Sequence, residues 1–225
     1  MWVSEVFCSV QGEGRHVGVP SAFLRLSGCN LRCSFCDTPY TSWHPEGDEI
    51  ALDVIVGRLH DYGVDHVVVT GGEPLLPPEI VLLTEELKRL GHYLTIETAG
   101  TVFRDLPVDL VSLSPKLANS VPWGTAWEQR HQTRRHRPEV IRRWLSEAEC
   151  QFKFVVDVPE DLAEVEAYVA EFPELRSDQV YLMPQGTECD VLRGKLAWLV
   201  EAATLRGWQV SPRLHIELFG NTRGT

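Results

Sequence analysis

The chain has 225 residues, 44% of them hydrophobic and 24% charged, which suits one sizeable domain with a real core. Its formal net charge of −11 repels phosphate backbones and argues against a nucleic-acid partner, while leaving room for a local basic pocket. The stretch MWVSEVFCSVQGEG lacks a basic region followed by an apolar run, and no apolar stretch approaches membrane-spanning length, so a cytoplasmic protein with no membrane partner is expected.

Along the chain, apolar runs alternate with helical patterns. Residues 20–27 read as a strand that leads straight into a cysteine cluster, and residues 50–62 as a helix. The β-branched run 66–70 predicts a buried strand ending in the tight loop Gly71-Gly72. Residues 79–90 have helical spacing and stop at Gly91, a residue suited to a helix C-cap. Strands are predicted over 93–98, 108–114 and 152–156. Asp157 and Pro159 suit a helix start, and Leu162, Val165, Val169 and Phe172 continue at helical spacing. A strand over 180–183, a helix over 191–205 and a last strand over 214–219 complete the pattern. The alternation predicts an α/β fold, with a mostly parallel sheet and right-handed crossovers. In such sheets ligands sit at the carboxyl ends of the strands.

The chain reads as a single domain, 1–225, with one break in the rhythm. Residues 119–149 carry Arg130, Arg134, Arg135, Arg137, Arg142 and Arg143 around Pro138. They predict an inserted helical hairpin or lid. A solvated, salt-bridged helix face is the ordinary explanation; closing a pocket or docking a partner is the alternative.

Three of the six cysteines, Cys29, Cys33 and Cys36, fall within eight positions. In a reducing compartment such clustering suggests a metal site more than a disulfide framework. Thiolates at C-x3-C-x2-C spacing can fold around one iron–sulfur cluster, which usually takes four cysteines. Three ligands leave one iron open to a substrate or cofactor. Cys8, Cys150 and Cys189 lack motif spacing and read as core or surface positions. A structural zinc site is the competing explanation, with His16 or His44 as fourth ligand.

The segment Gly28–Thr38, with Phe35 just before the last cysteine, resembles the radical S-adenosylmethionine (SAM) superfamily. Val67-Val68-Val69-Thr70-Gly71-Gly72-Glu73-Pro74 resembles the Gly-Gly-Glu motif of that superfamily. Further segments resemble the 7-carboxy-7-deazaguanine synthase family: Ser9–Gly14 (SVQGEG), Phe23–Asn30, Cys36-Asp37-Thr38, Glu97–Gly100, Ser114-Pro115-Lys116, and the tail from Leu214-His215 to Gly220-Asn221. The resemblance implies a shortened radical SAM β/α barrel, homodimeric, with a [4Fe–4S] cluster, SAM and Mg2+. It implies conversion of 6-carboxy-5,6,7,8-tetrahydropterin to 7-carboxy-7-deazaguanine with loss of ammonia, for queuosine and other deazapurines. Hydrogen abstraction by a 5′-deoxyadenosyl radical and ring contraction are part of that chemistry, and an external flavodoxin-like or ferredoxin-like electron donor is expected.

The resemblance also assigns residues. Cys29, Cys33 and Cys36 would hold the cluster and Thr38 would ligate Mg2+, a cation that prefers hard oxygen ligands. Phe35, Cys36, Asp37, Gly72, Glu73, Ser114 and Lys116 would meet SAM. Gln11, Gly12, Glu13, Thr70 and His215 would contact the pterin, and Glu97 would handle a proton or a ligand hydroxyl. Arg25 would pair with the substrate carboxylate, for which the guanidinium fork is suited. Arg25 lies in an otherwise apolar strand, where an unpaired charge is costly. A glycyl-radical activase is the rival enzyme; it shares the triplet and Gly71-Gly72-Glu73 but has no need of the Gln-Gly-Glu-Gly segment or of Arg25.

Overall fold

A computed structural model describes residues 1–225. Nine strands form one sheet: β1 (Trp2–Val10), β2 (Pro20–Leu26), β3 (Asp48–Glu49), β4 (His66–Gly71), β5 (Tyr93–Thr98), β6 (Leu110–Leu113), β7 (Cys150–Val156), β8 (Val180–Pro184) and β9 (Gln209–Val210). Their order is β3-β1-β2-β4-β5-β6-β7-β8-β9. From β2 to β9 every neighbour is parallel; β1 runs antiparallel to both β2 and β3. The helices are α1 (Leu52–Asp61), α2 (Ile80–Arg89), α3 (Glu128–Arg134), α4 (Pro138–Glu147), α5 (Leu162–Glu171), α6 (Cys189–Arg206) and α7 (Leu214–Phe219). No helix is long and apolar enough to cross a membrane.

Side chains in a strand alternate between the two faces of the sheet, and this alternation positions the site. Leu24 and Leu26, Val67 and Val69, Leu94 and Ile96, Val111 and Leu113, and Phe152 and Phe154 all join one buried apolar cluster. The helices complete that cluster with apolar positions at helical spacing: Ile80, Leu83 and Leu87 of α2, and Val140, Ile141 and Trp144 of α4. The intervening strand residues are of a different kind. Toward the amino ends they form a closed polar layer, in which His66 bonds Ser21 and Thr95 (2.8 Å each) and Gln151 donates to Ser112 (2.9 Å). One step further along the same strands, Arg25, Thr70, Glu97 and Lys153 border an open cavity.

Three elements depart from expectation. β1 was not legible, because its pattern of exposed, half-buried and buried residues is irregular. β9 is only two residues long. The segment 214–219, whose Leu-His-Ile-Glu-Leu-Phe alternation predicts a strand, is the helix α7. It buries only Ile216, leaves Leu218 and Phe219 exposed, and ends at Gly220 (φ +69°), whose N–H donates to Ile216 O (2.9 Å). No strand of the sheet pairs with this segment; Leu214 N instead donates to Gly12 O (2.9 Å), which starts the helix over the Gln-Gly-Glu-Gly loop.

Residues 119–149 connect β6 to β7 through α3 and α4. Their arginines are largely ion-paired: Arg135 with Glu164 (2.8 Å), Arg137 with Glu139 (2.6 Å) and Arg143 with Glu147 (3.1 Å).

Candidate active site

β2 delivers the cysteine loop to the carboxyl edge of the sheet. Gly28 N–H bonds Thr41 O (2.8 Å), Trp43 Nε1 donates to Cys33 O (3.0 Å), and Arg32 Nη1 donates to Cys29 O (2.8 Å) and Leu31 O (2.7 Å). The loop is thus shaped by its own neighbours. Cys29, Cys33 and Cys36 are free thiols and all border the same cavity. Burial pushes Cys29 up to about 11 and Cys33 up to about 12, so metal loading releases protons from these thiols. Cys8, Cys150 and Cys189 do not border the cavity.

The donor set fits a [4Fe–4S] cluster better than one zinc ion. No three His, Cys, Asp or Glu side chains gather on a single-ion centre, whereas three thiols on one loop facing a shared cavity suit a larger cluster. His44 is exposed, and His16 bonds Tyr93 (3.2 Å) at the opposite end of the sheet. Neither completes a zinc tetrahedron.

Gly71-Gly72-Glu73 ends β4 beside this loop, for reasons of close packing within the chain. Gly71 has φ +135°, and a Cβ there would fall 2.1 Å from Leu26 O. A Cβ on Gly72 would fall 2.1 Å from Gly28 O. Gly72 borders the cavity; Glu73 does not. The Glu73 carboxylate is 1% exposed and accepts from Thr98 Oγ1 (2.8 and 2.9 Å), Ala99 N (3.0 Å) and Leu75 N (3.3 Å). Its expected contact with SAM is therefore corrected: this side chain points inward and buttresses the turn.

The remaining wall is a charge network. Glu97 accepts from Gln11 Nε2 (3.2 Å), Thr70 Oγ1 (2.9 Å) and Lys153 Nζ (3.3 Å). Lys153 also donates to Glu13 (2.8 Å), and Glu13 accepts from Arg213 Nε (3.1 Å). Arg213 bonds Asp37 and donates to Gly186 O, so it ties together the Gln-Gly-Glu-Gly loop, the cysteine loop and the turn after β8. Burial alone would raise Glu13; Lys153 and Arg213 outweigh it and hold the carboxyl well below the usual range. Asp37 is likewise lowered, Arg213 overcoming burial. Burial would lower Lys153, but Glu13 and Glu97 raise it above its ordinary value.

His215 packs on Gly12 so closely that a Cβ there would fall 2.0 Å from its Nδ1, and burial lowers its pKa. Lys116 Nζ donates to Ser114 Oγ (2.8 Å). Thr38 Oγ1 lies 3.9 Å from Cys36 Sγ. Phe35 borders the cavity as well. Arg25 also borders it, but has a partner within the chain: its Nε donates to Glu5 (2.6 Å), which also accepts from Tyr40 OH (3.0 Å). The partner that a charge in this apolar strand requires is thus already supplied within the chain, by Glu5.

Sequence reasoning missed Lys153, Arg213 and Glu5. Lys153 had a signal: it stands between Phe152 and Phe154 in an apolar strand, just as Arg25 stands between leucines. Arg213 and Glu5 had none, since only the fold brings them to the wall.

Residues 24–148 match the radical SAM superfamily. The 7-carboxy-7-deazaguanine synthase of Rhodopirellula baltica is 45% identical over 227 residues, covering 99% of this chain and 88% of the relative. That of Halobacterium salinarum is 41% identical, covering 99% and 92%. Among solved structures, QueE from Escherichia coli superposes with a TM-score of 0.69 at 25% identity, covering 95% of this chain and 94% of that one. With the cysteine loop, the strand-end turn and the whole length in agreement, the chain belongs to the radical SAM superfamily and, within it, to the 7-carboxy-7-deazaguanine synthase family.

Proposed function

We propose that the chain converts 6-carboxy-5,6,7,8-tetrahydropterin to 7-carboxy-7-deazaguanine with loss of ammonia, as a carbon–nitrogen lyase. One observation carries this beyond family membership. The cysteine loop and a floor of Arg25, Thr70, Glu97 and Lys153 border the same cavity, so a polar anionic substrate can lie within reach of a cluster-bound cofactor. A glycyl-radical activase would use the loop and Gly72 but has no use for that floor.

Cys29, Cys33 and Cys36 hold the cluster. Phe35, Cys36, Asp37, Gly72, Ser114 and Lys116 border the SAM half of the cavity. When bound, cluster and SAM supply one-electron, hydrogen-abstracting chemistry; the protein supplies position and the exclusion of side reactions. Gln11, Gly12, Glu13, Thr70 and His215 line the pterin half. Arg25 keeps its outer guanidinium nitrogens for the substrate carboxylate while Glu5 holds Nε. Glu97, fixed by Gln11, Thr70 and Lys153, is the group that moves or holds a proton on the ring. Thr38 would offer its hydroxyl to Mg2+, a cation that takes hard oxygen ligands. A homodimer, a cytoplasmic setting and an external flavodoxin-like or ferredoxin-like donor belong to the same proposal and rest on the family resemblance.

The test is anaerobic reconstitution with iron, sulfide, SAM, dithionite, Mg2+ and the carboxypterin, followed by mass analysis. A product with the mass of 7-carboxy-7-deazaguanine, and ammonia in equal amount, is expected. Steady SAM cleavage with the pterin recovered unchanged overturns the substrate assignment.

A further inference from the structure

The outer side of the cysteine loop carries a surface that the pterin chemistry leaves unused. The segment leading into α3 is fastened to this loop. Ser34 N donates to Ser120 O (2.9 Å), Ser34 Oγ to Asn119 O (3.1 Å), and Arg32 N to Nδ1 of the buried His131 (3.1 Å). These bonds bring Trp127 and α3 against Arg32. The Arg32 guanidinium lies over the Trp127 ring at 4.2 Å and that of Arg130 at 4.6 Å. Two like charges therefore share one indole.

Neither has a carboxylate within ion-pair distance, nor has Arg134 one turn along α3, although most other Lys and Arg side chains of the chain are paired. Trp123, 60% exposed, stands on the same loop. Exposed Trp beside unpaired Arg is the composition of binding hot spots. On a chain of net charge −11, such a patch attracts an acidic protein here and repels it elsewhere. Its place narrows the partner. Arg32 is the chain neighbour of the cluster ligand Cys33, and Ser34 on the other side is exposed.

We propose that the Arg32–Trp127–Arg130 face is the docking surface for an acidic, low-potential one-electron carrier protein. This rests on the assignment of a cluster that is reduced from outside. The carrier is oxidised by one electron and the cluster reduced by one, with no bond made or broken. The arginines of the β6–β7 connection thus have different jobs: Arg135 ties it to Glu164 of α5, Arg137 and Arg143 pair locally along α4, and Arg130 faces a partner.

The experiment titrates oxidised flavodoxin into the cluster-loaded protein at low salt, for wild type, Arg130→Glu, Arg130→Lys and Arg58→Glu. Arg58 is an exposed, unpaired arginine on α1 and controls for net charge. Arg130→Glu is expected to weaken binding about tenfold or more and to flatten its salt dependence; Arg130→Lys and Arg58→Glu stay near wild type. Bleaching of the cluster absorbance by dithionite should be equal in all four, whereas bleaching by reduced flavodoxin should slow in Arg130→Glu alone. Unchanged flavodoxin binding in Arg130→Glu, an equal loss in Arg58→Glu, or no flavodoxin binding to wild type overturns the docking surface. Dithionite-driven product formation reads the pterin assignment separately, so the two fail independently.

Discussion

Cys29, Cys33 and Cys36 lie within eight positions of one another on a single loop, whereas the facing wall joins Glu13 to Lys153 across 140 positions and to Arg213 across 200. The thiols on one side of the cavity are neighbours in sequence; the ion pairs on the other are tertiary. The cluster side should tolerate no change of ligand, yet its loss leaves the sheet intact. The charged side should couple the site to the stability of the whole fold, because Lys153 and Arg213 are among its most buried cations, at 3% and 8%.

The largest effect tests the local side. Cys33→Ala removes one of three ligands from a loop with no spare thiol, so cluster colour and SAM cleavage should both vanish while circular dichroism stays native. Cys8→Ala, on an exposed strand position, should keep full iron content. An iron-loaded, active Cys33→Ala would show that the ligands lie elsewhere.

The next effect belongs to the tertiary side. Lys153→Met takes from Glu97 its only ion-pair partner and leaves Glu13 with Arg213 alone. Removing one partner from a buried ion pair costs about 3–5 kcal/mol. Glu13 is held below its ordinary pKa by Lys153 and Arg213, so its contribution is present above the usual carboxylate range and lost as the pH falls through the lowered value. The stability gap between wild type and Lys153→Met should therefore be widest near neutral pH and shrink on acidification. Urea denaturation in steps from pH 7 down to about pH 2 measures it; a gap independent of pH over that whole range would mean that the lysine acts through packing alone. Iron content should be unchanged in either case.

The same division explains what was legible in the sequence. The strand-end turn and most of the parallel strands depend on neighbours in the chain, and the structure has them where the sequence predicts them; the triplet comes together on one loop at the cavity. Gly72 has a packing reason as well, which the motif does not reveal: it makes room for Gly28 O. Glu73 was visible as a motif, but its inward direction depends on Thr98 and the turn of β5. Lys153 and Arg213 could not be paired in advance, since a lysine among phenylalanines says that a partner exists and not which. α7 was misread because apolar alternation over six residues is silent on whether a neighbouring strand is free to receive it.

The smallest effect separates two jobs of one residue. Arg25 is ion-paired with Glu5 behind the wall and borders the cavity in front. Arg25→Met strands one carboxylate that is only 13% exposed, yet Tyr40 OH still donates to it. The cost should be about 2 kcal/mol, below that of Lys153→Met, where two carboxylates lose a cation. Adding Glu5→Gln removes the stranded charge, so the double variant should regain most of that stability. Substrate recognition should not return with it, because a neutral amide offers nothing to a carboxylate that needs a guanidinium fork. Titration of the carboxypterin should show affinity down on the order of a hundredfold in both variants, with SAM binding and iron content unchanged. If affinity recovers together with stability in the double variant, Arg25 serves the β1–β2 pairing alone and the substrate carboxylate is held elsewhere, with Lys153 the next cation on that wall.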